Sequence, residues 1–317
     1  MGACAVVGVL VAVAGCARKP APLVFDEALF ARKPHAVFEL ALDADGRSPQ
    51  VTVVGTLRRY RVREEDTFIE LGRYFGVGLN EMVAANPAVD PWVPPDGAEI
   101  LIPTRWVLPC CRYEGIVVNV PEMRLYYYEP AGPGRIRVYT YPVGVGREER
   151  QTPQGVYRVQ AKSENPTWVI PESIRREHIR DHGDYRTSIP GGDPDNPLGK
   201  YRLTLSRPRY AIHGTNIPWG PGMPVSHGCV RLFPEDIERV YPLVPVGARV
   251  ELTYQPVKIG RAGGRTWAEV HEDVYDRTRL DDAARLARRR QPDASVDEGR
   301  LAGALRAVRG VPTPIGP

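Results

Sequence analysis

The sequence predicts a mostly-β domain of the β-sandwich type, preceded by a small α+β unit with the element order βααβ. Residues 105–254 are dense in short segments of β-branched and aromatic side chains, and Pro-Gly pairs separate these segments. Residues 58–104 have a different pattern, in which two strand-like segments enclose two helix-like ones. The chain has 317 residues, of which 43% are hydrophobic, so it is long enough for about two packed domains.

The overall charge argues against nucleic-acid binding. Lys and Arg number 42 and Asp and Glu number 38, which gives a net charge of +4 at pH 7. This excess is too small for the basic surface that nucleic-acid-binding proteins use. No apolar run reaches the ~20 residues that a membrane-spanning helix needs, so we expect no such helix either.

Residues 1–15 have the pattern of a signal peptide. They carry no charge, and their small-apolar run from Ala5 to Ala14 is too short to cross a bilayer. The run leads to Val-Ala-Gly-Cys16, which resembles the lipobox of bacterial lipoproteins. The resemblance implies that Cys16 becomes a lipidated N-terminus and anchors the protein to a membrane, and Ala17 is compatible with the outer membrane. The alternative is an ordinary signal peptide with an incidental Cys.

Residues 58–104 form the predicted βααβ unit. The segment RRYRVR alternates like a strand, Thr67 and Glu70 have the spacing of a helix capping box, and a short second helix stops at Asn86-Pro87 before a closing strand. This order resembles the LysM module, which binds glycans that contain N-acetylglucosamine, such as peptidoglycan. The resemblance implies glycan binding, and the alternative is a structural unit without glycan affinity.

The residues that point to chemistry lie in the motifs AIHGT and SHGCVRL. A free Cys is mostly protonated at neutral pH, so Cys229 needs a neighbouring base to become a nucleophile, and His213 is the candidate. Gly214 leaves the backbone beside His213 open to close approach. Gly228 lets the chain turn tightly, so that backbone N–H groups can face a carbonyl group. A nucleophile, a base and oxyanion donors are the parts of an acyl-transfer site.

Two other interpretations of these residues stay open. Cys229 could be an ordinary buried residue. It could also share a zinc ion with His213 and His227 and with His178 or His182, although none of the common metal-site spacings is present. His178 and His182 lie in the long irregular segment 165–197, either at the surface or in a lid over the site.

The motifs HGT and SHGCVRL are similar to those of the YkuD-type L,D-transpeptidase family. The segments YEGIVVNVPEMRLYYYE, TPQGVYRV and PLGKYRLTL extend the resemblance to its ErfK/YbiS-like envelope branch, which combines this domain with LysM. The resemblance covers residues 58–275 and implies a catalytic domain over residues 112–254. The resemblance implies that Cys229 is the nucleophile, that His213 is its general base, and that the Gly214 carbonyl orients the imidazole. It also implies that the backbone N–H groups of Gly228 and Cys229 are the oxyanion donors. Three further residues of the motif would shape the loop and bind substrate: Ser226, His227 and Arg231.

The family resemblance implies a two-step acyl transfer on peptidoglycan tetrapeptide stems in the periplasm. The acceptor amine would come from another stem, from a lysine of an envelope lipoprotein or from a free D-amino acid. Neither a metal nor another cofactor is needed, because the thioester conserves the energy of the substrate amide. The alternatives are a peptidoglycan-binding anchor with weak or silent catalysis and a hydrolase that uses water as acceptor.

Three segments have less specific patterns. Residues 16–57 mix Pro, Ala and scattered charges, and we interpret them as a tether with one strand near residues 51–57. Cys110-Cys111 could form a strained disulfide, remain reduced or link two molecules. Residues 255–317 form a C-terminal extension that is Arg- and Ala-rich from about residue 277, and we expect it to be solvated, with two helix-like stretches.

Overall fold

The computed structural model describes residues 25–317, so the predicted signal peptide and Cys16 lie outside the described residues. The helices in that range are α1 (Glu27–Ala31), α2 (Phe68–Phe75), α3 (Leu79–Ala85), α4 (Glu172–His182), α5 (Pro234–Leu243), α6 (Leu280–Arg290) and α7 (Glu298–Ala307), with one 3-10 turn at Glu148–Arg150. None of these helices is both long and apolar enough to cross a bilayer.

The strands of the same range are β1 (Ala36–Ala41), β2 (Val53–Gly55), β3 (Arg58–Arg61), β4 (Glu99–Ile102), β5 (Arg105–Val107), β6 (Gly115–Asn119), β7 (Arg124–Pro130), β8 (Arg135–Pro142), β9 (Val145–Gly146), β10 (Gly155–Glu164), β11 (Trp168–Val169), β12 (Ser188–Ile189), β13 (Tyr201–Leu205), β14 (Ala211–His213), β15 (Pro224–Ser226), β16 (Val230–Arg231), β17 (Arg249–Thr253), β18 (Val257–Ala262), β19 (Arg265–Val270) and β20 (Thr313–Gly316). The predicted mostly-β character of the domain is therefore confirmed.

The central element is one mixed sheet of nine strands in the order β1-β8-β7-β6-β17-β10-β13-β14-β16. The pairs β6–β17 and β14–β16 are parallel, and the others are antiparallel. The first half of β10 pairs with β17 and its second half pairs with β13, with a register shift between Val159 and Ala161. One curled sheet that turns at this irregularity therefore replaces the expected sandwich of two separate sheets.

Both faces of the sheet are covered, because side chains alternate along each strand. Leu125 and Tyr127 of β7 point to one face, where they pack with Ile237 of α5. Tyr126 and Tyr128 point to the other face and form a second core with the βααβ unit, whose contributing residues include Phe68, Leu71, Ile100 and Ile102. The βααβ unit thus shares its hydrophobic core with the outer face of the large sheet.

The βααβ unit has the element order expected from its sequence. β3 and β4 pair antiparallel, with Arg58 opposite Ile102. The amide N–H of Glu70 donates to Thr67 Oγ1 over 3.2 Å at the start of α2, which ends at the left-handed Gly76. Arg124 of β7 reaches Glu81 of α3, with 2.6 Å between Nη2 and Oε2, and both side chains are fully buried. This ion pair joins the unit to the sheet.

The segment expected to be a tether is instead folded from residue 26 onward. Residues 36–41 form β1 and pair antiparallel with β8, with Ala36 opposite Thr140 and Ala41 opposite Arg135. Lys33, also in this segment, is buried and bridges to Glu235 and Asp236 of α5, at 3.0 and 2.9 Å. The strand covers an edge of the large sheet that would otherwise present unpaired backbone groups to solvent.

The C-terminal extension also folds, contrary to the solvated state expected for it. β18, β19 and β20 form a three-stranded sheet. Ala283, Ala284 and Ala287 of α6 and Leu301 of α7 pack on it together with Ile315. The charged residues of α6 occupy its other face, which explains why the sequence alone suggested a solvated segment.

Candidate active site

A cavity of about 960 Å³ opens at the end of the sheet formed by β14 and β16. One wall comes from β14 and from the loop that carries the SHGC motif, and the opposite wall comes from the long segment around α4. Five of the residues predicted for the site line the cavity: His213, Ser226, His227, Cys229 and Arg231.

The pairing of β14 with β16 explains why His213 and Cys229 meet at one cavity. The two strands are parallel, with Ile212 opposite Val230 and His213 opposite Arg231. Side chains two positions apart along an extended chain point to the same side. Cys229, two positions before Arg231, therefore lies on the same side of the sheet as Arg231 and its neighbour His213.

His213 is held in one tautomer by the backbone. Its Nδ1 lies 2.7 Å from the carbonyl oxygen of Gly214. A carbonyl oxygen can only accept, so Nδ1 carries the proton and Nε2 is left as the basic nitrogen. The side chain is buried, and desolvation, together with the charge of Arg231, lowers its pKa to about 3. The imidazole is therefore neutral and ready to accept a proton from a group that approaches Nε2.

Cys229 is a half-buried free thiol. Burial raises its pKa above the ordinary value, whereas the positive charges of Arg202 and Arg231 act in the opposite direction. Its Sγ lies 3.7 Å from the carbonyl oxygen of Arg209. The resting site therefore holds a protonated thiol, with two guanidinium groups near enough to stabilise the thiolate once it forms.

The turn before Cys229 is fixed by Ser226. Ser226 Oγ accepts from the N–H of Gly228 at 3.0 Å and donates to the carbonyl oxygen of Cys229 at 2.6 Å. Gly228 has a φ of +106°, and a Cβ there would lie 2.7 Å from the ring of Tyr210.

These contacts correct the predicted pair of oxyanion donors. The N–H of Gly228 is already donated to Ser226, so it does not face the cavity as a free donor. The N–H of Cys229 makes no hydrogen bond to any residue in the range 25–317. Cys229 is therefore the residue of the predicted pair whose backbone can stabilise an oxyanion.

His227 is turned toward α4 and not toward the thiol. Its Nε2 lies 2.8 Å from Arg147 Nη2 and 3.1 Å from Glu177 Oε2. Arg147 also pairs with Glu177 at 3.2 Å. Burial lowers the pKa of His227, and the Glu177 carboxylate opposes that shift. These three side chains connect the SHGC loop to the helix that covers the cavity.

Arg202 and Arg231 place two cationic side chains in the cavity wall. The Nε atoms of both are buried and have no hydrogen-bond partner among the described residues. Burial lowers the pKa of Arg231, but its guanidinium remains a cation at neutral pH. Two such groups suit a substrate that carries carboxylates.

Residues 114–252 match the family model of the L,D-transpeptidase catalytic domain, YkuD. A relative from Escherichia coli strain K12, "Probable L,D-transpeptidase YcfS", is 35% identical over 240 residues, which cover 74% of this chain and 73% of the relative. The chain belongs to the L,D-transpeptidase family.

Other relatives match this chain over a shorter stretch. "Probable L,D-transpeptidase ErfK/SrfK" from Salmonella typhimurium is 44% identical over 202 residues, covering 63% of this chain and 64% of the relative, so the chain spans a little under two thirds of that relative's length. Among solved structures, the NMR structure of the catalytic domain from the E. faecium L,D-transpeptidase is 20% identical and covers 44% of this chain and 96% of that one, with a TM-score of 0.33.

The long segment 165–197 covers the cavity as a small folded unit. β11 and β12 pair with each other, and Ile170, Ile174 and Ile189 form a core of their own. His178 and His182 line the cavity from α4, with their ring centroids 6.3 Å apart. Both histidines therefore belong to the cavity wall.

The potential metal ligands that converge within the described residues lie away from the cavity. They are Glu122, Glu269 and His271, all buried. Lys258 Nζ lies 2.7 Å from Glu122 and 3.0 Å from Glu269, so its ammonium group already neutralises these carboxylates. The cluster is an ion-pair network between the large sheet and the C-terminal sheet.

Sequence reasoning missed three residues that support the site. Arg147 and Glu177 lie 30 positions apart, and neither belongs to the motifs that indicated the site. Thr152 donates from Oγ1 to the carbonyl oxygen of Gly228 at 3.1 Å. Thr152 does lie in the segment TPQGVYRV that carries part of the family resemblance, and that segment was the available signal.

The vicinal cysteines are separate free thiols in the structure. Burial raises the pKa of Cys111 to about 12, and the N–H of Tyr113 donates to its Sγ at 3.3 Å. Burial also raises the pKa of Cys110, so both thiols are weak nucleophiles and make useful internal controls for the chemistry of Cys229.

Proposed function

We propose that the protein is an L,D-transpeptidase that transfers a peptidoglycan tetrapeptide stem through a thioester on Cys229. The observation that carries the proposal is the arrangement at the cavity: a neutral His213 whose Nδ1 faces the Gly214 carbonyl, the Cys229 thiol on the same side of the sheet, and a free Cys229 N–H. Family membership supports the same reaction class.

In the first step, His213 Nε2 takes the proton from the Cys229 thiol as sulfur attacks the carbonyl carbon of the bond between the L-centre of the third residue and terminal D-Ala. The N–H of Cys229 stabilises the oxyanion. The tetrahedral intermediate collapses, the carbon–nitrogen bond breaks, and the imidazolium of His213 gives its proton to the leaving amine of D-Ala. The product is a thioester on Cys229 and free D-Ala.

In the second step, an amine attacks the thioester and His213 removes its proton. The carbon–sulfur bond breaks, the proton returns to sulfur, and an amide is formed. A side-chain amine of another stem gives a 3→3 cross-link, a lysine of an envelope lipoprotein gives a wall-attached protein, and a free D-amino acid gives exchange. Water in place of the amine gives hydrolysis, so exclusion of water by the segment around α4 determines the outcome.

The decisive experiment for this proposal is incubation of the purified protein with tetrapeptide muropeptides, followed by mass spectrometry of the products. Cross-linked dimers would establish transpeptidation, and Cys229→Ala should abolish them. Tripeptides without dimers would identify the hydrolase alternative. Unchanged muropeptides would leave a peptidoglycan-binding anchor as the function.

We also propose that residues 58–104 act as a LysM-type glycan-binding module. Trp92 and Val93, in the loop between α3 and β4, are 57% and 78% exposed. Exposed aromatic rings can stack on sugar rings, so Trp92 is the residue to test. Because the module shares its core with the large sheet, the test uses the full chain.

The glycan-binding test compares two variants in a Cys229→Ala background, which prevents turnover. Trp92→Ala should weaken co-sedimentation with insoluble peptidoglycan at moderate salt. Leu286→Ala, which removes an exposed apolar side chain from α6, should bind like the parent protein. Equal binding by all three proteins would eliminate Trp92 as a glycan contact.

For the N-terminus, we propose lipidation of Cys16 and a periplasmic location on the outer membrane. The support is the sequence Val-Ala-Gly-Cys16 after an apolar run. Labelling with a palmitate analogue should mark the wild type and not Cys16→Ala. Equal labelling of the two proteins would contradict the proposal.

A further inference from the structure

We propose that Tyr275, which lies outside the family-matched residues 114–252, is a positioning residue for the oxyanion donor of this site. It acts through Thr152 and the Gly228 carbonyl group and does not touch the substrate. The inference rests on the proposed acyl transfer at Cys229, and it adds a part of the chain to which neither the catalytic motifs nor the family model assigns a role.

The Tyr275 hydroxyl connects two backbone groups under the catalytic loop. It donates to the carbonyl oxygen of Gly146 at 2.7 Å and accepts from the N–H of Thr152 at 3.2 Å. The ring is buried, stacks on Tyr254 with 5.9 Å between centroids, and has the guanidinium of Arg277 over it. The hydroxyl is therefore held in place from the C-terminal side.

Thr152 carries the connection to the catalytic loop. Its side chain is fully buried, and its Oγ1 accepts from the N–H of Gly146 at 2.9 Å. A hydroxyl has one proton to donate, and Thr152 donates it to the carbonyl oxygen of Gly228 at 3.1 Å. Tyr275 thus fixes the carbonyl group of Gly146 and the N–H of Thr152, and these backbone groups flank the Thr152 hydroxyl that binds Gly228.

The Gly228 carbonyl and the Cys229 N–H belong to the same planar peptide group. In a trans peptide they point in opposite directions, so a hydrogen bond that fixes the carbonyl also aims the N–H. Gly228 has no Cβ and has a φ of +106°, so the backbone of Gly228 does little by itself to prevent rotation of this peptide group. Thr152 supplies the restraint, and Tyr275 supports Thr152.

Ser226 restrains the neighbouring peptide groups and not this one. It binds the N–H of Gly228 and the carbonyl oxygen of Cys229. Among the described residues, Thr152 is therefore the one whose hydrogen bond fixes the orientation of the peptide group between Gly228 and Cys229. An oxyanion donor has to be aligned before the reaction, because its contribution comes from preorganisation.

The test is Tyr275→Phe in the full chain, which removes one hydroxyl and keeps the ring. The matched control is Tyr127→Phe. The hydroxyl of Tyr127 also lies in the domain core, where it donates to the carbonyl oxygen of Leu243 at 2.9 Å. Loss of a whole oxyanion donor costs about 10²–10³-fold in rate, so partial misalignment in Tyr275→Phe should lower acylation of Cys229 about 10-fold or more. The KM should change little, because the substrate contacts are kept.

Alkylation of Cys229 by iodoacetamide distinguishes a misaligned oxyanion donor from a general loss of thiol reactivity. Alkylation forms no oxyanion, so its rate and pH profile in Tyr275→Phe should match those of the wild type. The melting temperatures of Tyr275→Phe and Tyr127→Phe should fall by comparable amounts, while only Tyr275→Phe loses acylation. Thr152→Val should lose acylation in the same way, and Thr152→Ser, which keeps the hydroxyl, should restore it.

The possible failures are distinguishable. A wild type whose Cys229 is never acylated would refute both the proposed function and this inference. A wild type that is acylated normally, together with an equally active Tyr275→Phe, would refute the positioning role alone. Parallel losses of acylation in Tyr275→Phe and Tyr127→Phe would also refute it, because they would show a general effect of stability.

Discussion

At the scale of single residues, burial keeps the proposed catalytic pair, His213 and Cys229, neutral before substrate arrives. It lowers the pKa of His213 to about 3 and raises that of Cys229. A preformed thiolate–imidazolium pair is therefore disfavoured, and proton transfer has to accompany the attack of sulfur on the carbonyl. Arg202 and Arg231 reduce the energy of the thiolate at that moment.

This neutral pair predicts the pH dependence of alkylation in the absence of substrate. A raised pKa means that less thiolate is present at any given pH, so the rate of Cys229 alkylation by iodoacetamide should keep rising through the alkaline range. Intact-mass kinetics on the wild type would measure this rate. A rate that is already constant between about pH 6 and pH 8 would indicate a preformed thiolate and contradict the account.

The two histidines of the motifs should differ in their effect on catalysis. His213→Ala should lower kcat/KM about 10²–10⁴-fold, because general-base assistance is lost. Its residual acylation should increase with pH as the unassisted thiol ionises. His227→Ala should cost less, because His227 contacts Arg147 and Glu177. Similar losses in both variants, with sensitivity to chelators, would instead favour the zinc alternative.

At the scale of elements, the βααβ unit is attached through a buried ion pair. Arg124 reaches Glu81 over 2.6 Å, donates to the carbonyl oxygen of Gly76 and stacks on Trp106. Removing one partner of a buried pair leaves an uncompensated charge, so Glu81→Met should lower the free energy of unfolding by about 3–5 kcal/mol. Urea unfolding would measure it.

The exposed pair Arg59–Glu99 provides the control for that prediction. Both side chains are largely in solvent, and Arg59→Met should cost less than about 1 kcal/mol. In addition, the double variant Glu81→Met with Arg124→Met should be less destabilised than the sum of the single variants. Additive losses would show that the two residues do not act as a pair.

The sequence predicted the helices and strands of the βααβ unit well, because caps and periodicity are local signals. Thr67 and Gly76 mark the ends of α2 within ten residues of each other. The strand β1 was missed because its partner β8 lies about a hundred positions away and only pairing makes it a strand. The Ser226 hydrogen bonds were missed for a similar reason, since they depend on a turn geometry that residue types do not encode.

The candidate catalytic residues could be proposed from the sequence, whereas the residues that hold them in place could not. The motifs around His213 and Cys229 carry a specific family resemblance. Thr152 and Tyr275 reach Gly228 only through the folded arrangement of β9, the turn after it and the C-terminal segment. Contacts across such sequence distances leave no periodic pattern in the chain.

At the scale of the whole molecule, the three predicted units are interlocked. Lys258 of the C-terminal sheet binds Glu122 in the turn between β6 and β7 of the large sheet. Glu269 accepts from the backbone N–H of Val107 in the segment that follows the βααβ unit. The βααβ unit also shares its core with the large sheet. Such shared cores favour a single cooperative unit.

This interlocking predicts one unfolding transition for the full chain. Urea curves recorded by tryptophan fluorescence and by far-UV circular dichroism should coincide, because Trp106 lies in the core between the βααβ unit and the sheet. A separate early transition, confined to one probe, would show that a unit unfolds by itself and would contradict the shared core.

The central claim, acylation of Cys229 with His213 as its base, is tested most directly by intact mass spectrometry with a carbapenem, a probe suggested by the family resemblance. The wild type should gain one adduct that peptide mapping places on Cys229, His213→Ala should gain it slowly, and Cys229→Ala should gain none although it keeps Cys110 and Cys111. An adduct that persists in Cys229→Ala, or that maps to Cys110 or Cys111, would contradict the account.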